Sequence, residues 1–345
     1  MGALTPEFLF DLESNMRVIA EREYERLLSN LWWQMVAKVM PSGAKRERIN
    51  WLLDTARIER TIAGGGQVSF EDIVSRTTEF VNLNAAAGLE LKKEELEDHD
   101  GNGVQLATHW SRQMGAYAAY WPQKMIADAI KANDDTYDAL PFFSPIGTPH
   151  LVNPFKPAAG SFANHFTGAA AGSYPGAVPI NGVTFDVAVI NLQKVISYIA
   201  SIAMPNGEDP RMLRVNKIIV PPALTAIAQQ LTQAQFIAQA AATGGGSGDI
   251  SAVIRNWGFG APVEAAELGA AFGGSDTDYY ILAEEITTNE LGAFVYVDRE
   301  PFQMIMHGPM TDAELARTRK LQWTTEGRNV VGNGHPYLMF KCSAT

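Results

Sequence analysis

The sequence predicts an α+β protein, as one large domain or two to three packed subdomains, and three observations lead to this prediction. Between residues 103 and 132, apolar and aromatic side chains recur at spacings of three and four, as on one face of a long helix. Residues 212–220 read as a buried strand, and the end of the chain alternates apolar and polar residues. With 345 residues, 46% of them hydrophobic, the chain can bury a large core.

The first 48 residues predict an arm that contains a helix. Apolar residues from Met16 to Val39 have helix-like spacing and include Trp32 and Trp33, and Pro41-Ser42-Gly43 is expected to end the helix. Two interpretations are open. The helix packs on the core of its own chain, or it lies on a neighbouring subunit.

Residues 49–92 predict a long β-excursion. A strand-like piece at 56–62 precedes Gly64-Gly65-Gly66, which reads as a mobile tip, and a second extended arm runs from Phe80 to Leu91. An isolated two-stranded ribbon is marginally stable in water, so we expect this one to gain stability by lying on a partner.

The helix at 103–132 would be about 45 Å long. Asp100 or Asn102 can cap its start, and Pro122 is expected to kink or weaken one turn. Residues 133–182 read as loops. The further predicted elements are a helix at 185–204, a strand at 212–220, a helix from Pro221 to about 242, a flexible loop at Gly244–Gly248, strands at 262–268, 279–283 and 293–307, and a terminal antiparallel pair, 318–325 and 329–341, across Glu326-Gly327-Arg328.

Charge and cysteine content restrict the class of protein. The formal net charge is -11, whereas each contact with a nucleic-acid phosphate needs a Lys or Arg. If this protein meets DNA, we expect it to contain the DNA rather than grip it. The single cysteine, Cys342, cannot form an internal disulfide, which fits a reducing cytoplasm. No signal peptide is expected at the start, and the most apolar stretch, 185–204, is interrupted by Asn191, Gln193 and Lys194, so no membrane span is predicted.

One short stretch fits the opening of a calcium loop. Asp98-His99-Asp100-Gly101-Asn102-Gly103 places oxygen ligands at alternating positions and a glycine sixth. The twelfth position needs a bidentate Glu but holds His109, which favours a capped helix start over a calcium site.

No other pattern predicts catalysis or metal binding. The histidines do not pair at metal-ligand spacing, a lone Cys342 near the end of the sequence is a poor nucleophile candidate, and no G-x-S-x-G, phosphate-loop or H-E-x-x-H motif occurs. Acidic pairs such as Glu94-Glu95 and Glu284-Glu285 are more typical of solvated faces. We therefore predict no catalytic, cofactor-binding or metal-binding residue, no cofactor, and no enzyme activity. The six histidines are His99, His109, His150, His165, His307 and His335.

The middle of the chain resembles the Mu-like phage major head subunit family. The resemblance is carried by an ordered set of signals and not by one motif: Trp51, Phe80 to Asn84, Gly88 to Leu91, Glu94 to Asp98, Gln113-Met114-Gly115, Ala118-Ala119, Pro122, Tyr137-Asp138, Phe142-Phe143-Ser144, Pro149-His150, and Lys217 to Pro221 followed by a helix with Ala228 and Leu231. The pattern is thin at 150–185 and after 245.

The resemblance implies the tailed-phage major capsid fold, which encapsulin shells share. On this basis the chain divides into an N-terminal arm, an extended E-loop, a peripheral domain with a spine helix at 103–132, an axial α/β domain, and strands that return to the peripheral domain. The corresponding ranges are 1–48, 49–92, 93–180, 181–295 and 296–345.

The predicted function is that of a major capsid protein. It would self-assemble into hexamers and pentamers of an icosahedral phage head that encloses double-stranded DNA, be assembled in the host cytoplasm, and have portal, scaffold and decoration proteins as partners. Mobile tips at Gly64–Gly66 and Gly244–Gly248 are candidate adapters between environments. The alternatives are an encapsulin-like shell around a protein cargo, and a soluble hydrolase or calcium-binding module.

Overall fold

A computed structural model of the chain describes residues 6–53, 74–97, 102–233, 259–285, 292–307 and 319–344. The helices are α1 Pro6–Leu28, α2 Trp33–Val36, α3 Lys93–Glu97, α4 Asn102–Ala132, α5 Phe185–Ala200 and α6 Thr225–Gln233. The strands are β1 Ala37–Pro41, β2 Arg46–Leu53, β3 Val74–Val81, β4 Leu83–Lys92, β5 His150–Leu151, β6 Ser161–Phe162, β7 His165–Phe166, β8 Leu213–Val220, β9 Val263–Glu264, β10 Tyr279–Glu285, β11 Phe294–His307, β12 Lys320–Asn333 and β13 Met339–Cys342.

Two sheets organise the described residues. A four-stranded sheet has the order β1-β11-β12-β4, with β1 parallel to β11 and the other pairs antiparallel. A five-stranded mixed sheet has the order β7-β13-β10-β8-β9. The small pair β5-β6 lies in the loop-rich segment, and β2 and β3 form a separate antiparallel ribbon. The predicted α+β class is confirmed.

The long helix predicted at 103–132 is confirmed as α4, and it continues through Pro122. The residues directly before and after the proline make side-chain hydrogen bonds to other parts of the fold. The Trp121 indole nitrogen donates to Asn329 at 3.0 Å, and the Gln123 amide donates to Glu267 at 2.7 Å. These tertiary bonds offset the missing main-chain bond of the proline.

The prediction of one helix from Met16 to Val39 is wrong. Helix α1 ends at Leu28, and after a turn and α2 the chain enters the four-stranded sheet as β1. Trp32 and Trp33 are buried in the main core, where Trp33 lies 5.6 Å from the ring of Tyr296. Burial of a large apolar side chain contributes about 1.5–3 kcal/mol, so the two indoles together stabilise the fold by several kcal/mol. This gain exceeds the free energy that a longer, exposed helix would contribute.

The prediction of one excursion over 49–92 is also partly wrong. The strand predicted at 56–62 and its glycine tip lie outside the described residues, and the ribbon is made by β2 and β3. Strand β3 ends just before Asn82. Strand β4 then pairs along its whole length with β12. Residues 83–92 therefore belong to the sheet of their own chain.

The predicted terminal pair across Gly327 is wrong because β12 runs through this glycine as one strand. A Cβ at Gly327 would lie 2.9 Å from a ring carbon of Phe302, so the glycine provides close packing and not a turn. The last strand, β13, joins the five-stranded sheet between β7 and β10.

The elements between residues 185 and 307 are mostly as predicted. Helix α5 ends four residues early, at Ala200, and β8, β10 and β11 match their predicted ranges closely. The strand predicted at 262–268 is only β9, followed by a 3-10 turn at Ala266–Leu268. Helix α6 is described to Gln233, and the rest of the predicted helix and Gly244–Gly248 lie outside the described residues.

Candidate assembly surfaces

A deep groove of about 820 Å³ lies between α1, α4 and the edge of β11. Strand β1 pairs with β11 only as far as Asp298, and on that side of β11 no described strand continues after this point, whereas β12 pairs along the other side. Helix α1 forms the opposite wall, and Arg17 of α1 donates a hydrogen bond at 3.4 Å to the main-chain carbonyl of Met304. The groove therefore occupies the place that a further strand would take beside β11. We call it the α1–β11 groove.

Three residues that line this groove each carry a buried polar atom without a hydrogen-bond partner among the described residues. The atoms are Trp33 Nε1, Asp298 Oδ1 and Thr325 Oγ1. Burial raises the pKa of the Asp298 carboxyl. A buried donor or acceptor without a partner costs about 1–3 kcal/mol, so a group that enters the groove and bonds to these atoms would recover that free energy.

Part of the rim of the α1–β11 groove is apolar, beside the exposed charged side chains of Arg17, Glu21 and Glu25. Tyr24, Val39 and Ile305 line it and are partly exposed, Val39 with 55% of its surface accessible. Exposed apolar side chains beside a cavity are typical of protein–protein contact sites.

The β2–β3 ribbon is fixed at its base and extended beyond it. Ile49 and Phe80 are buried against Val295 and Val297 of β11. Gly332 makes room for the Phe80 ring, because a Cβ there would lie 2.1 Å from a ring carbon. The ribbon is therefore anchored at its base on the sheet of its own chain.

A buried ion pair organises the loop-rich segment between α4 and α5. His150 Nδ1 lies 2.7 Å from Asp138 Oδ2, and its Nε2 lies 3.1 Å from the carbonyl oxygen of Phe142. The side chains of His150 and Asp138 are only 1% and 5% exposed. Both ring nitrogens therefore lie within hydrogen-bond distance of an oxygen acceptor. Thr136 Oγ1 and the amide of Leu140 also donate to the Asp138 carboxylate.

This ion pair predicts a loss of stability in acid. Burial raises the pKa of Asp138, but the hydrogen bond and charge of His150 and the bond from Thr136 outweigh burial, and the net pKa is lowered. A carboxyl with a lowered folded pKa stabilises the fold above its unfolded pKa, about 3.9, and loses this contribution as the pH falls through the folded value. We expect urea midpoints of the unmodified chain to fall below about pH 4 more steeply than those of Asp138→Asn. Parallel curves would contradict this assignment.

The remaining sequence candidates do not form a reactive site. His109 and His307 are exposed, Cys342 is fully buried, and burial followed by Lys341 lowers the pKa of His165 to about 4. Among the described residues, no three His, Cys, Asp or Glu side chains come together as metal ligands would. Residues 98–101 of the candidate calcium loop, His99 among them, lie outside the described ranges.

None of the helices in the described ranges combines the length and apolar character that a bilayer crossing requires.

The chain is similar in sequence and in structure to known proteins. Residues 14–174, slightly less than half of the chain, match the family described as Mu-like prophage major head subunit gpT. The mature capsid of bacteriophage PhiM1 is similar in structure, with 13% identity, a TM-score of 0.50, and coverage of 91% of this chain and 87% of that one. The capsid of cyanophage P-SCSP1u gives 13% identity and a TM-score of 0.50, with coverage of 89% and 86%.

The fold is that of a tailed-phage major capsid protein. The family resemblance read from the sequence is confirmed over residues 14–174. The capsid chain of bacteriophage JBD30 is longer: the match has 11% identity and a TM-score of 0.45, and covers 90% of this chain but 64% of that one. No protein of curated function matches the sequence.

Sequence reasoning missed the α1–β11 groove and the pair formed by His150 and Asp138. The α1–β11 groove depends on where β1 ends beside β11, residues more than 250 positions apart, and no local pattern reports that. His150 and Asp138 both belonged to the resembling signals, but their pairing across a loop was not predicted.

Proposed function

We propose that this chain is the major capsid protein of a tailed phage and has a structural, non-enzymatic role. Copies would assemble into hexamers and pentamers of an icosahedral head that encloses double-stranded DNA. The observation that carries the proposal is the match of residues 14–174 to the Mu-like major head subunit family in a chain with the capsid fold.

The chemistry of assembly would be burial at many repeated contacts. The anchored β2–β3 ribbon of one copy would extend to the α1–β11 groove of the next and cover the apolar part of its rim. Each contact is modest, but each copy both gives and receives one, and a closed shell sums them through multivalency. The negative net charge of the chain suits a wall that contains DNA without binding it tightly.

In this proposal, α4 is the spine helix of a peripheral domain, and residues 181–295 are the axial domain. The earlier assignment of 1–48 as an arm, 49–92 as an E-loop and 296–345 as returning strands is kept only in outline, because β4 lies in the four-stranded sheet and β13 in the five-stranded one. Portal, scaffold and decoration proteins are proposed partners, and assembly is placed in the host cytoplasm.

The test is expression of the full chain, followed by size-exclusion chromatography and negative-stain electron microscopy. Closed shells with angular outlines are expected, and co-expression with a portal and a packaging motor should give shells whose DNA survives added nuclease. A folded monomer at every concentration and salt would overturn the proposal. Shells that enclose only a protein cargo would favour the encapsulin-like alternative.

The groove rim offers a direct prediction. Val39→Asp puts a charge on the exposed rim near Asp298, which an occupant would have to desolvate at a cost of several kcal/mol. We expect the yield of shells to fall by at least about tenfold, since 1.4 kcal/mol already changes an equilibrium tenfold. The matched control is Val39→Thr, which keeps size and β-branching and should assemble. Equal yields from the Asp and Thr variants would exclude the rim from the contact.

A further inference from the structure

Strand β4 is an open edge of the four-stranded sheet. It is ten residues long and pairs with β12 on one side, and no described strand pairs with its other side. Most of the strand is exposed on both faces, and Leu83 has 63% of its surface accessible.

The edge lacks the features that normally prevent pairing with another chain. Residues 83–89, Leu-Asn-Ala-Ala-Ala-Gly-Leu, contain no charge and no proline. The register with β12 is continuous from Leu83 to Lys92, without a bulge that would twist the edge away. Natural edge strands are commonly short or carry lysine, proline or a bulge, because an open flat edge is a template for a further strand. This strand is therefore suited to receive one.

The outward main-chain groups can be assigned. The main-chain amide of Lys92 donates to the carboxylate of Glu95 at 3.1 Å. The main-chain groups of Lys92 therefore face away from β12, and this bond closes that end of the edge. Main-chain groups alternate in direction along a strand, so Asn84, Ala86, Gly88 and Glu90 also point outward.

The same assignment follows from the opposite side of the sheet. The Met304 carbonyl faces α1, away from β12, because it accepts a bond from Arg17. Its neighbour across the pair, Thr325, then faces β4 and bonds with Ala87. Because main-chain groups alternate along the strand, those of Ala86 face outward, away from β12.

The sequence of the edge is nearly the same in both directions about Ala86. Leu83 corresponds to Leu89, Ala85 to Ala87, and Asn84 to Gly88. A strand of this kind can pair antiparallel with its own copy, placing small residues opposite small residues and leucine opposite leucine. The same register places Glu90 opposite Asn82, so no like charges meet.

We propose that two copies of this chain pair through β4, antiparallel and about a two-fold axis at Ala86, so that the two four-stranded sheets become one continuous sheet. Ala86 would face its own copy as a hydrogen-bonded pair, and Asn84 would pair with Gly88 of the partner, each pair exchanging two main-chain bonds. A two-fold contact of this kind is isologous and closes on itself. The proposal rests on the proposed function, since a closed shell of hexamers and pentamers contains such two-fold contacts between its units.

The test uses engineered cysteines in the full chain, whose one natural cysteine, Cys342, is buried. In Ala86→Cys, the two Cα atoms across the axis would be about 5.5 Å apart, within disulfide range, so mild oxidation should convert most of the chain to covalent dimers. In Leu83→Cys the two sulfur-bearing residues would be about 20 Å apart and should not cross-link. The double variant Leu83→Cys/Leu89→Cys should cross-link again, because the register places these positions opposite each other.

The outcomes separate this inference from the proposed function. Shells that form normally while neither Ala86→Cys nor the double variant cross-links would overturn the β4 pairing and leave the capsid role intact. Cross-linking of Leu83→Cys as efficient as that of Ala86→Cys would show unspecific collision and also overturn it. Dimers that cross-link with the expected register but never form shells would support the pairing and overturn the capsid role. A folded monomer that neither assembles nor cross-links would overturn both.

Discussion

Replacement of His150 by phenylalanine should lower the free energy of unfolding by about 3–5 kcal/mol, the usual cost of leaving one partner of a buried ion pair alone. His150 is stacked on Phe162 at 5.4 Å, so a phenylalanine keeps the ring contact and removes only the two polar bonds. Asp138 would then remain buried with hydrogen bonds from Thr136 and Leu140 but without an opposite charge. Urea unfolding followed by tryptophan fluorescence measures the change.

The control for His150→Phe is the same substitution at His307. His307 lies 3.8 Å from Glu326, and about half of each side chain is exposed, so its ion pair should contribute no more than about 1 kcal/mol. The double variant His150→Phe/Asp138→Leu should recover most of the lost stability, because an apolar pair leaves no buried charge. Equal losses at His150 and His307, or no recovery in the double variant, would show that the buried pair does not hold the loop.

The fold could be predicted from sequence where one segment determines its own structure. The 103–132 helix, the strand at 212–220 and the strand at 293–307 have strong periodicity, and each was found within one or two residues of its predicted bounds. Local pattern and final structure agree at these places because one face of each element is buried whatever its partner is.

The predictions failed where a residue or strand distant in the sequence determines the local structure. Gly327 resembles a turn residue, but it is the ring of Phe302 that requires a glycine there. Residues 83–92 read as the second arm of an excursion, yet β12, more than 200 residues later, takes them into a sheet. The sequence of either partner alone does not contain this information.

The physical picture of assembly changes accordingly. The sequence left open whether the helix within residues 1–48 packs on its own chain, and it predicted that the excursion at 49–92 gains stability by lying on a partner. In the structure, α1, β1 and β4 are packed or paired within their own chain, and Leu12 and Met16 of α1 are buried in a second core cluster with Trp323. The surface left for contact with a neighbouring copy is therefore smaller. It consists of the α1–β11 groove, the apolar part of its rim, and the open edge of β4.

Replacement of Gly115 by alanine should abolish assembly. A Cβ at Gly115 would lie 2.2 Å from the main-chain oxygen of Ala20, so even one methyl group must push α1 away from α4. Overpacking of this kind costs about 1–3 kcal/mol, which leaves a folded chain. Its functional cost is larger, because α1 is one wall of the α1–β11 groove.

We therefore expect Gly115→Ala to keep the circular dichroism of the unmodified protein, unfold at lower urea, and form no shells in negative stain. The control is Gly147→Ala, where an added Cβ meets nothing within 4 Å and both stability and assembly should be unchanged. Normal shells from Gly115→Ala would mean that the groove wall is not needed for contact between copies. Gly115 is one of the residues that carry the family resemblance in the sequence, and the close crossing of α1 over α4 gives a physical reason for a glycine at this point in the long helix.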